Sequence, residues 1–200
     1  MIEESIRNKK YLDYLKNFVD LTPNEESFLL SKIYYRKYLK NQYITQQGDI
    51  AKTVSFVLSG CVKTFLLNTS GQEHIVVLAI EDWWTSDIGS FLYQKPAEFN
   101  VKCIEDSEVL QIKFEDLEEL YSTVPAFETF WRKIMEKAYV NSQKRILTNL
   151  TLTAKERYLL FKNNYPNIEK RIPQYLVASF LGITREFLSK IKSQLTKEEK

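Results

Sequence analysis

Thr184, Arg185 and Glu186 stand side by side and offer a hydroxyl, a guanidinium fork and a carboxylate at the start of one short helical pattern. A hydroxyl in that place can accept from an unpaired backbone N–H and so cap the helix. A guanidinium can donate two hydrogen bonds to guanine O6 and N7, and a carboxylate can accept from cytosine N4. Ser189 and Lys190 lie a turn further along the same side, and Lys192 adds another cation. This set suits the reading of base edges and phosphates rather than the making of bonds. An ordinary helical hairpin with solvated charges carries similar residues, so the rest of the chain has to discriminate.

Other chemistry is poorly supplied. His74 is the only histidine, and it sits in an apolar run, so a Ser/His/Asp set would have to be built on it alone. Cys61 and Cys103 with one histidine are too few for a closed zinc site, and two thiols cannot hold an iron–sulfur cluster. There is no GxxxxGK[ST] and no GxGxxG. No enzyme, metal or cofactor is expected from these residues.

The elements that must position the candidate readers are two short helices around a tight turn. Leu176, Val177, Phe180 and Leu181 recur at helical spacing. Gly182 suits a helix stop that needs positive φ. Ile183 reads as a plug, and Phe187, Leu188, Ile191 and Leu195 as the buried face of the second helix. The pattern is a helix-turn-helix, in which the start of the second helix approaches base edges.

Charge distribution favours the same reading. Residues 131–200 hold 15 Lys+Arg against 6 Asp+Glu, a net of +9, whereas residues 1–130 hold 13 against 20, a net of −7. A basic region around a helix-turn-helix is the electrostatic footprint of a nucleic-acid binder. Lys144, Arg145, Lys155, Arg157, Lys170 and Arg171 are further candidates for phosphate contacts.

Upstream, residues 3–20 predict a helix with Tyr11, Leu12, Leu15 and Phe18 on one side. Thr22-Pro23-Asn24-Glu25 is a capping box for a second helix that fades near 34–37. From Tyr38 to Ile112 the chain reads as short strands at 43–45, 53–58, 61–67, 74–80, 99–104 and 108–112. Gly48, Gly60 and Gly71 fall 12 and 11 residues apart beside polar turn residues, the punctuation of a compact antiparallel barrel or sandwich. A short helix follows at 114–121, and Pro125 opens a long one reaching about Asn149. Its stripe of Phe127, Phe130, Trp131, Ile134 and Ala138 predicts a contact between two copies, because a symmetric pair buries one stripe twice. The competing reading packs that stripe on the sheet of its own chain. Thr153–Glu156 is a second capping box. The 200 residues contain no apolar run of membrane-spanning length, and the charged N-terminus does not read as a signal peptide. A cytoplasmic protein with reduced cysteines is expected.

The order of parts resembles the Crp-Fnr type of bacterial transcription regulators. The resemblance lies in Lys37–Ile44 with Gln47-Gly48-Asp49, in Phe56–Lys63, in Asn68–Ile75 and in Leu181–Ile191, and it covers nearly the whole chain. It implies an α+β protein with three parts. These are a cyclic-nucleotide-binding-like antiparallel β-roll (jelly-roll-like) sensor at 1–124, a dimerisation helix at 125–150 and a winged-helix-like helix-turn-helix domain at 151–200. The chain leaves little after Leu195 for the β-hairpin wing of some members. The implied function is a homodimeric, sequence-specific regulator of duplex DNA, with RNA polymerase and a small-molecule effector as further partners. The alternative is a ligand- or partner-binding module that does not touch DNA.

Members that bind cyclic AMP carry a Gly-Glu pair and a following Arg with a small residue. Here the stretch reads Trp83–Ser90 and then Lys95–Phe99, with no Arg and with Glu98 nearby. A carboxylate repels a phosphate, so cyclic AMP binding in the usual way is not expected. Trp83, Trp84, Ser86 and Phe91 could instead fill the pocket or line another effector site, with Asn141 and Ser142 as its polar contacts. Lys190 stands where many relatives have Arg and cannot form the same bidentate fork.

Overall fold

A computed structural model describes residues 3–198. Two helices lead, α1 (Glu4–Leu15) and α2 (Pro23–Ser31). Strands β1 (Tyr34–Tyr38), β2 (Tyr43–Thr45), β3 (Thr53–Ser59), β4 (Val62–Leu67), β5 (Glu73–Ala79) and β6 (Trp84–Thr85) follow. Then come α3 (Ile88–Tyr93), β7 (Asn100–Cys103), β8 (Ser107–Lys113), α4 (Phe114–Thr123) and the long α5 (Pro125–Thr151). The C-terminal part holds α6 (Ala154–Asn164), α7 (Ile168–Arg171), α8 (Gln174–Phe180) and α9 (Arg185–Glu198).

The strands form two four-stranded antiparallel sheets, ordered β1-β8-β3-β6 and β2-β7-β4-β5. Period-two alternation sorts their side chains. Val57 and Val109 join Val62, Val101 and Cys103 in a cluster drawn from both sheets. Val54, Phe56, Leu58, Leu110 and Ile112 point to the other face of the first sheet and meet α1, α2, α4 and the start of α5. Phe65, Ile75 and Leu78 of the second sheet meet α6, α8 and α9. The chain is thus layered as helices, sheet, sheet, helices, and in the apolar run at 74–80 Ile75 and Leu78 face the helices, Val77 and Ala79 face the other sheet, and Val76 stays exposed.

Local signals hold where they were strong. Thr22 and Glu25 form a reciprocal capping box with Pro23 in the first turn, and Thr153 and Glu156 form the second. Gly60 turns the β3–β4 connection at φ +101°, and a Cβ there would stand 2.3 Å from Ser107 Oγ. Three short elements differ from expectation. Residues 34–38 form β1 on β8 rather than a fading helix, Trp84–Thr85 form β6 on β3, and Asp87 caps the short α3.

The stripe on α5 also differs. Phe127 and Phe130 are fully buried and Trp131 and Ile134 nearly so, all within the chain's own core against Tyr11, Phe56 and Leu120. Trp131 stands edge-on to Trp84 at 5.3 Å. These four side chains are therefore unavailable to a second copy; the competing reading wins because the first sheet needs a lid. Of the five residues only Ala138 is exposed. Beyond it, Tyr139, Val140, Ile146, Leu147 and Leu150 are exposed on the second half of the same helix.

Candidate nucleic-acid interface

The helix-turn-helix is built as its residues dictate. Leu176, Val177 and Ala178 bury the inner side of α8. Gly182 takes φ +68° and ends the turn, with its N–H donating to Ser179 O. Ile183 is partly buried against the cluster beneath. Thr184 Oγ1 accepts from Phe187 N at 3.1 Å, which caps α9. Leu188 and Ile191 anchor α9 from behind.

Arg185, Glu186, Ser189 and Lys190 are all exposed, and none forms a side-chain hydrogen bond or ion pair among the described residues. Four polar groups on one helix, none engaged within the chain, leave their donors and acceptors free for an outside partner. Lys192 differs: its ammonium pairs with Glu169 at 2.7 Å and is partly buried. Phe187 also differs, since it was expected on the buried face and is 48% exposed. Leu188, Ile191 and Leu195 carry the contact of α9 with the cluster behind it, and Phe187 stands outside that contact.

The basic residues divide. Lys155 pairs with Glu198. Arg157 donates to Asn149 O. Arg145 turns inward and donates to Ile75 O at 2.7 Å, to Phe180 O at 3.0 Å and to Val76 O. Its guanidinium also lies 4.2 Å from the Phe180 ring centroid. Burial holds its pKa below the ordinary arginine value. Arg171 grips Glu81 and Glu105. Arg145 and Arg171 thus tie the helical region to the second sheet rather than offering charge to phosphate. Ser179 completes the seam, donating to Glu73 O and accepting from Ile75 N on the edge strand β5. Two peptide groups of an unpaired edge are satisfied in this way. Sequence reasoning missed this seam, whose partners lie between 66 and 106 residues apart.

The residues nominated for an effector pocket are not brought together. Trp84 fills the core between Phe56 and Trp131, Phe91 is fully buried against Phe114, and Trp83 packs on Tyr165. Ser86 donates to Thr53 O, while Asn141 and Ser142 are exposed on α5. The large aromatics go where the most apolar area is removed from water, which is the core. What the stretch does build is a carboxylate lock. Asp87, almost fully buried, accepts from Ser90 N at 2.9 Å, Glu98 N at 2.8 Å and Phe99 N at 3.0 Å. An open groove of about 800 Å³ lies beside it, lined by Tyr43, Gln47, Leu66, Leu67, Pro96 and Glu98.

Cys61 and Cys103 are buried in different clusters, and burial pushes their thiols up to about 12 and about 11. Among the described residues no helix is long and apolar enough to cross a membrane, and no three His, Cys, Asp or Glu side chains form a metal-holding group.

Residues 35–124 match the cyclic nucleotide-binding domain family. The transcriptional activator Anr of Pseudomonas protegens is 24% identical over 175 residues, 82% of this chain and 71% of its own length. The chain is similar in sequence to regulators of the Crp-Fnr type. Two solved structures share this fold. FixK2 from Bradyrhizobium japonicum has a TM-score of 0.72 at 19% identity, covering 84% of this chain and 86% of its own. CLP of Xanthomonas campestris, described as a c-di-GMP-responsive global regulator, has a TM-score of 0.71 at 16% identity, covering 89% and 93%. The resemblance read from the four sequence segments therefore stands, as does the antiparallel sheet domain followed by a long helix and a helical C-terminal region.

Proposed function

We propose that this chain is a homodimeric, sequence-specific regulator that binds duplex DNA through α9 and does not take cyclic AMP. The observation that carries the reading is the free polar face of α9, with Arg185, Glu186, Ser189 and Lys190 presented on a capped and anchored helix. Arg185 and Glu186, in the first turn, read bases; Ser189 and Lys190 contact bases or phosphate; Thr184 caps the helix close to the backbone. Lys192 supports the helix through Glu169 and has a smaller part in binding than its charge suggests.

Pairing runs through the second half of α5. Tyr139, Gln143, Ile146 and Leu150 recur at intervals of four, three and four, the spacing of a helix–helix seam, and Ala138 lies at its edge. Two copies then present their reading helices to half-sites about one helical turn (~10 bp) apart. The chain is a binder rather than an enzyme, and RNA polymerase is the further partner a regulator of this kind requires.

The absence of a cyclic AMP response rests on Asp87. Its carboxylate already consumes three N–H donors at the loop where an anion would need them, and Glu98 adds like charge. Retention on a DNA column, with affinity falling steeply as salt rises, tests the binding itself. A module that only contacts protein passes through unretained.

A further inference from the structure

Phe187 is the one large apolar side chain exposed on α9 among the described residues. Its ring joins neither the cluster behind the helix nor any aromatic pair or cation–π contact there. It is the third residue of the helix, between Glu186 and Leu188, and its N–H is held by the Thr184 cap, so its place in the first turn is fixed. A half-exposed ring with no partner in its own chain is costly to hydrate and gains by covering apolar surface. On the base edges of the major groove the one apolar group is the C5-methyl of thymine.

We propose that Phe187 is a specificity-determining residue that reads a thymine methyl group beside the base pair read by Arg185 and Glu186. The proposal rests on the DNA-binding reading above and adds the chemistry of one further position in each half-site. The polar residues of the turn sense donors and acceptors, while the ring senses the presence of a single methyl.

Uracil in place of thymine removes that methyl and changes nothing else on the base. An operator selected by the full chain from a random duplex pool is therefore remade with each thymine replaced in turn by uracil, and affinities are measured by fluorescence anisotropy. One thymine per half-site should matter. Loss of a methyl contact is expected to weaken binding about fourfold per half-site, and about fifteenfold when both half-sites are changed. Phe187→Ala should bind thymine and uracil duplexes equally, and Phe187→Leu should keep part of the preference. The exposed ring makes both variants compatible with folding, which thermal unfolding verifies. Wild-type indifference to uracil at every position overturns the proposal. So does a Phe187→Ala variant that weakens all duplexes alike while keeping the thymine preference, which makes the ring a backbone contact. Failure to select any sequence is a different result, and it overturns the DNA-binding reading together with this one.

Discussion

Arg171 holds Glu81 with both arms of its guanidinium, Nη1 to Oε2 at 2.8 Å and Nη2 to Oε1 at 2.9 Å. Glu81 follows β5 of the sheet domain, and Arg171 ends α7 of the helical region. The same carboxylate accepts from Gly60 N at 2.9 Å, so one side chain joins the β3–β4 turn to the helical region that carries α9. Glu105 offers Arg171 a second carboxylate. With Arg145 and Ser179, this pair sets where the reading helix stands relative to the sheets.

The seam should loosen in acid. Burial alone would push the Glu81 carboxyl up, but Arg171 and the N–H of Gly60 pull it down from 4.5 to about 2. A carboxyl held below its unfolded value stabilises the fold above that value, and the contribution is lost as pH falls through the folded one. Amides of β5 and α8 should therefore exchange faster as pH drops from 4.5 towards about 2, after correction for intrinsic exchange. Glu81→Gln should abolish most of this pH dependence. An identical acid profile in that variant contradicts the assignment.

Gly60 should tolerate no side chain. Its φ of +101° is strained for any other residue, and a Cβ would meet Ser107 Cα at 2.7 Å as well as its Oγ. Gly60→Ala should cost about 3 kcal/mol, adding backbone strain to overpacking. Calorimetry should then show Tm falling by about 10 °C. A shift of under about 2 °C would mean that the turn relaxes freely.

Two substitutions on α5 should separate folding from pairing. Leu150→Glu places a charge in the proposed seam, and sedimentation should report a monomer with little change in the stability of the single chain. Phe130→Ala empties a fully buried site of the core and should cost about 3–5 kcal/mol. A Leu150→Glu protein that stays dimeric moves the interface elsewhere.

Cyclic AMP and cyclic GMP should give no calorimetric heat at millimolar concentration. Asp87 occupies the amides that a phosphate would use. Micromolar binding by either nucleotide means that the carboxylate gives way.

What the sequence made legible was local. Thr22 with Glu25, Thr153 with Glu156 and Thr184 with Phe187 are caps whose partners lie three residues apart, and all three form. Gly60 and Gly182 marked real positive-φ turns. Periodicity finds the apolar face of α5 but does not say whose surface covers it, and the structure packs Phe130 and Trp131 on the sheet of their own chain. The strand Tyr34–Tyr38 was missed because its stability comes from pairing with residues 107–111, and its own burial pattern is weak. Trp83 and Trp84 are conspicuous in the sequence, while the shorter Asp87 carries the polar contacts of that loop. Arg145 and Arg171 looked like surface cations, and only the fold reveals the carbonyls and carboxylates that bind them.

Whether α9 reads sequence is decided by Arg185→Ala. Duplexes bound by the wild-type chain are first selected from a random pool, and both proteins are then titrated with the selected duplex and with an unrelated one. A selected inverted repeat is expected, on which the variant loses about 1–3 kcal/mol and discriminates less at one position, with little change on unrelated DNA. Equal loss on both duplexes, or no selected sequence, contradicts sequence reading by α9.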